Sequence, residues 1–110
     1  MGNIRFPFGE ADFKSATSAS VINLEVNNAG LTYVRLSTLG AAATINVTAT
    51  GMVDGALLFI EIPSAGTARD VTAGTGLQSP TIAGVINKTK VAGFLWHTDK
   101  FIKISEALIN

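Results

Sequence analysis

Cysteine is absent from this chain of 110 residues, and histidine occurs once, at His97. The first absence removes disulfide frameworks and thiolate metal sites. The second removes the paired histidines on which much zinc and proton-relay chemistry rests. An excess of either charge is missing too: eight Lys+Arg balance eight Asp+Glu, leaving no electrostatic footprint for nucleic acid or an anionic membrane. Charged residues make up only 15% of the chain, against about 25% in an average soluble domain. No apolar run approaches the roughly 20 residues of a membrane span, and the opening "MGNIRFPFGEADFKSATSAS" holds none of signal-peptide length. The chain is therefore expected to stay in a cytoplasm or in a particle assembled there. Asn46-Val47-Thr48 and Asn87-Lys88-Thr89 fit the glycosylation pattern but, without secretion, are chance matches.

What is present fits one domain, since 110 residues are too few for two independent cores. Hydrophobic residues reach 47%, and polarity comes largely from Thr, Ser and Asn. A small domain with few charges and no net charge self-associates unless a partner covers part of its surface. A permanent oligomer or assembly is expected.

Residues 1–19 follow no sustained period, with Phe6, Phe8 and Phe13 scattered among Gly, Pro, Ser and Ala. They are read as an arm, and residues 20–110 as the folded domain. From Val21 the pattern alternates. Ile22, Leu24 and Val26 stand against Asn23 and Glu25, and Asn27-Asn28-Ala29-Gly30 makes a turn cluster. "LTYVRLS", "TINVTAT" and "ALLFIEI" follow, the last after the Asp54-Gly55 turn signal and ending at Pro63. "TARDVT", a short strand around Leu77, "TIAGVI", "KVAGFLW" and "FIKIS" keep the rhythm, and only "EALIN" suggests a brief helical turn. Strands every 8–12 residues with turns between them predict an all-β sandwich or barrel. The expected fold is one antiparallel β-sandwich of about eight strands with jelly-roll-like connectivity.

Two strands are apolar on both faces. In "ALLFIEI" the set Leu58, Ile60 and Ile62 opposes Leu57 and Phe59; in "KVAGFLW" Val91 and Leu95 oppose Ala92, Phe94 and Trp96. A strand with one solvated face should be polar there. Either the second face is covered, by another subunit, the arm or a second layer, or it carries the exposed apolar residues that folded proteins commonly tolerate. Leu57, Phe59 and Phe94 are the interface candidates.

The stretch Gly74-Thr75-Gly76 resembles a phosphate loop only superficially. Ser79 stands at the third glycine position of a dinucleotide fingerprint, Pro80 follows, and no helix pattern comes after to receive a pyrophosphate. A tight connection between strands is expected instead. Asp54, Asp70 and Asp99 lie in or beside turns, where short carboxylates bond to backbone amides. His97 falls in the "WHTDKF" hairpin, where exposure is expected. No catalytic, metal or cofactor site is assigned. Trp96 and Tyr33 are candidates for a glycan-binding platform if they are exposed.

The residues Gly66 to Thr72, Gly74 to Gly76, Lys88 to Lys90 and the Trp96–Phe101 hairpin follow an order: an apolar strand, a Gly-Thr-Ala-Arg-x-Val-Thr-like strand, a glycine turn, a Lys-Thr-Lys strand and an aromatic hairpin. That order resembles a β-sandwich module of tailed-phage structural proteins, found in head fibres, capsid decoration proteins and tail-associated domains. The resemblance covers about half the chain. It implies a non-enzymatic virion subunit, commonly a homotrimer, assembled in the host cytoplasm and contacting capsid or another virion protein. Phe6, Phe8 and Phe13 would then anchor the arm. The alternative is a carbohydrate-binding module, itself compatible with a virion, using Trp96 and Tyr33.

Overall fold

The computed structural model describes residues 5–6 and 9–109, with Arg5, Phe6, Gly9 and Glu10 described through their backbone alone. Every regular element among them is a strand: β1 (Arg5–Phe6), β2 (Gly9–Glu10), β3 (Asp12–Ala16), β4 (Val21–Val26), β5 (Leu31–Leu36), β6 (Ala43–Ala49), β7 (Leu57–Pro63), β8 (Val71–Ala73), β9 (Leu77–Gln78), β10 (Thr89–His97) and β11 (Lys100–Leu108). The all-β expectation holds. The alternation that marks β4 in sequence is the alternation of its burial: Ile22, Leu24 and Val26 are inside, and Val21, Asn23 and Glu25 outside.

The strands wind as a coil rather than as an antiparallel jelly roll. Consecutive strands from β3 to β8 fall alternately on two walls, so the chain returns to each wall only after a full turn and in the same direction. On the broad wall β3, β5 and β7 pair in parallel; on the narrow wall β4, β6 and β8 do the same. Three stacked coils result, β3–β4, β5–β6 and β7–β8. The β10–β11 hairpin then extends the broad wall antiparallel from β7, and β9 closes it against β11 in parallel. An alternating pattern specifies burial, not direction, which is why antiparallel pairing was expected from it.

Two smaller differences share one cause, short irregular loops with few ladder bonds. The segment read as the strand "TARDVT" is regular only over Val71–Ala73, and "TIAGVI" contributes a single bridge from Ile82 to Val71. "EALIN" is not helical: β11 runs through it to Leu108. The broad wall begins at Asp12, inside the segment read as an arm, because Asp12–Ala16 pair with Thr32–Leu36. Ahead of it, Arg5 pairs with Glu10 and Phe6 with Gly9 in a separate two-stranded ribbon.

Between the walls lies one apolar core. Parallel, in-register stacking puts similar side chains on one another: Ile22 on Ile45, Leu24 on Val47, Val34 on Ile60. Each such burial is worth about 1.5–3 kcal/mol. Leu77 and Ile82, from the segment after β8, join Phe94 and Phe101 to complete the core. Towards the far end of the hairpin the inward positions turn polar. Lys90 Nζ lies 3.0 Å from Glu106 Oε1, and Lys103 also donates to Glu106. Hydrogen bonds from Lys103 first, then Lys90, hold the Glu106 carboxyl below the usual carboxylate range.

The first coil closes with charge. Lys14 occupies an inward position in register with Val34, which is fully buried, and Val34 with Ile60. Its ammonium crosses the end of the core to donate to the Glu25 carbonyl of β4 at 2.7 Å and pairs with Asp12 at 3.5 Å. An inward-pointing charge on an edge strand makes that edge a poor template for another chain. Replacing it by an apolar residue, Lys14→Ile, is expected to expose a sticky end, read as species larger than wild type in sedimentation velocity.

One core position carries a polar atom without a partner. Thr32 is fully buried, and its hydroxyl makes no hydrogen bond. Thr32→Val keeps the shape and removes the desolvation cost, so it is expected to raise stability by about 1 kcal/mol. Urea denaturation checks this, and a loss of stability would refute it.

Candidate functional site

The outward face of the broad wall is the surface that the sequence marks as unusual. Register places Phe13, Tyr33, Phe59, Gly93 and Ser105 in one row across five strands. Leu31, Leu57, Leu95 and Ile102 form the row beside it, each half-buried. On the other side run Ser15, Arg35, Glu61, Val91 and Ala107. Apolar side chains thus occur on five of the wall's six strands, on the side away from the core.

The aromatic row is a ladder built by the coiling. Phe13 and Tyr33 ring centroids are 5.4 Å apart and those of Tyr33 and Phe59 6.2 Å, about the spacing of neighbouring strands. Phe13 is 73% exposed, so this ladder ends in solvent. Gly93 lets the last ring lie down: a Cβ there would come within 2.7 Å of Phe59 Cε1. The row therefore changes from tall to flat along its length, with Gly93 and Ser105 as its low end.

One polar cluster interrupts the apolar field. Tyr33 Oη donates to Glu61 Oε2 at 2.6 Å, and Arg35 Nε donates to Glu61 Oε1 at 3.2 Å. Glu61 is only 8% exposed, whereas the Arg35 side chain is 70% exposed. The carboxylate is thus covered and paired, and the guanidinium keeps donors facing solvent. A shallow cavity of about 140 Å³ lies against Phe13, Lys14, Ser15, Tyr33 and Arg35.

The sequence candidates separate on this frame. Leu57 and Phe59 are on the outward face and half-buried. Phe94, read as an interface candidate, is 1% exposed and belongs to the core, because its parity on β10 is that of Ala92. Trp96 shares that inward parity, packing edge-to-face on Phe101 at 5.0 Å and against the core. Tyr33 faces out and Trp96 in, so the two do not form a glycan platform. Of the arm residues, Phe13 is part of β3 and of the ladder. Phe8 and the side chain of Phe6 lie outside the described residues.

The glycine loop is strand punctuation, and its amides are engaged. Gly74 N–H donates to Ile45 O at 2.8 Å, and Thr75 N–H donates to Asn46 Oδ1 at 2.8 Å. Thr75 O accepts from Val47 N–H at 2.7 Å, and Gly76 O from Phe101 N–H at 2.9 Å. A Cβ at Gly74 would sit 2.9 Å from the Ile45 carbonyl oxygen, and Gly76 has φ +81°. Close approach to β6, not anion binding, requires these glycines. The turn carboxylates also act locally: Asp54 Oδ1 accepts the Thr98 N–H at 2.8 Å, beside the exposed His97. Among the described residues, no three of His, Asp or Glu converge as a metal site.

No family model, curated protein or solved structure matches the chain.

Burial raises the Tyr33 pKa to about 12, aided by the hydrogen bond to Glu61 and its charge. Tyr33 is the one tyrosine in the sequence, so its ionisation can be followed by ultraviolet absorbance without overlap from another. A folded pKa above the unfolded 10 favours the neutral phenol. That contribution to stability is complete below pH 10 and disappears as pH rises towards 12. Glu61→Gln removes the carboxylate charge but not the burial, so the midpoint should fall below 12 while staying above 10. An unshifted midpoint in wild type would refute the cluster.

Proposed function

We propose that the chain is a non-catalytic building block of an assembled particle, a phage virion by the resemblance of its C-terminal half. The observation that supports this most is the largely apolar outward face of the broad wall, five strands wide and half-exposed in the single chain. Large contiguous apolar surfaces are rare on free monomers and mark interaction sites. The aromatic residues and exposed arginine gathered there are the types enriched at the centres of protein interfaces. Zero net charge and a low charge density suit a subunit surrounded by others.

In this reading the domain is a head-fibre or capsid-decoration subunit held as a homo-oligomer; the resemblance favours a trimer, whereas the broad wall taken by itself favours a pair. The segment that precedes the wall in sequence, with Phe6 and Phe8, is its attachment to capsid or another virion protein. The wall supplies contacts between subunits, with Leu57 and Phe59 at its centre.

Mass spectrometry of density-purified particles, from a culture in which the gene is expressed, is expected to find the chain as a stoichiometric component. A chain recovered only from the soluble fraction would overturn the reading.

A further inference from the structure

The aromatic row of the broad wall has a centre. It crosses β3, β5, β7, β10 and β11 but not the two-residue β9 at the far edge, so Phe59 of β7 stands at its middle. Two strands to one side of it, Phe13 projects into solvent; two strands to the other side, Ser105 is small and exposed, with Ala107 next to it. Ridge and trough thus lie on one face, at equal distances from one strand. We propose that two copies of this chain pack face to face through their broad walls, about a two-fold axis parallel to β7 and passing over Phe59. This rests on the assembly reading above and names the partner and the symmetry.

A rotation of this kind returns each row to itself with left and right exchanged. Phe59 meets Phe59 at the axis, and Phe13 of each copy settles into the trough at Ser105 of the other. In the neighbouring row Leu31 comes opposite Leu95, and Leu57 opposite Leu57, so apolar faces apolar at these positions. An interface of this type is self-complementary, as two-fold dimers require. Charge does not oppose it. Each Glu61 is covered and paired within its own chain, and the exposed Arg35 beside it comes opposite Val91 of the other copy. The size is adequate: five strands by the length of β7 give a face of about 24 by 23 Å. With side-chain relief this is of the order of the ~800 Å² per partner in standard interfaces.

The test is a charge exchange between ridge and trough. Phe13→Asp and Ser105→Arg both alter exposed side chains, so far-UV circular dichroism should show both variants folded. Wild type is expected to sediment as a dimer at micromolar concentration. Each variant alone carries its defect at both contacts of the symmetric pair, and its dimer should weaken by roughly tenfold or more. In an equimolar mixture one contact is native and the other pairs aspartate with arginine, so dimerisation should return. A wild-type monomer, or a mixture that stays dissociated, overturns the proposal. A wild-type trimer also overturns it while leaving the building-block reading intact, which the particle analysis decides independently.

Discussion

The constraint on which the structure depends is in-register parallel pairing on both walls at once. Because β5 lies on β3 and β6 on β4, the residue at each position of one coil determines what its neighbour in the next must accept. Apolar positions meet apolar ones in the core, where Val34 contacts Ile60, and amides meet on the outer face, where Asn46 donates to Asn23 at 3.2 Å. The same rule outside the broad wall produces the Phe13–Tyr33–Phe59 ladder and sets Arg35 beside Glu61. The candidate site is thus a by-product of the coil: its spacing is the strand spacing, and its order is the order of the turns.

The two walls are unequal, and the inequality shapes the surface. Three strands on the narrow side face six on the broad side. Near β7 the core is apolar apart from the Thr32 hydroxyl. Farther along the hairpin, inward positions are taken by Lys90, Lys103 and Glu106, which satisfy one another. At the opposite end Lys14 and Asp12 play the corresponding part. Charge therefore bounds the core at both margins of the broad wall, while the outward face between them is apolar apart from the Tyr33–Glu61–Arg35 cluster. This is the reverse of the usual surface economy and leaves that face as the place where a partner gains most.

Much of this was legible in the residues. The alternation in "VINLEV" and "LTYVRL" marks strands with correct inward faces, and the doubly apolar "ALLFIEI" points to an uncovered second face. Strand direction was not legible from alternation, since a parallel and an antiparallel strand with one buried side look the same. A signal for it was nevertheless present. "INL" at residues 22–24 and "INV" at 45–47 are in register in the fold, as are "LTYVR" at 31–35 and "LLFIE" at 57–61. These weak internal repeats, spaced by 23 and 26 residues, are the mark of a coil. Phe94 was misplaced because its strand is apolar on both sides, and sequence alone does not say which side meets the core. Trp96 goes to the core side with Phe94, whose parity it shares.

The polar stopper on the first coil has an architectural consequence. The three turns are joined only to their immediate neighbours, and their lengths already vary, with paired positions separated by 20 to 28 residues. Nothing in the middle turn refers to the total number. Tandem duplication of its two strands would lengthen the prism by one storey without disturbing either the charged lid or the hairpin at the far side. Height, in such a design, is set by gene length alone, and lateral contacts would multiply in step with it.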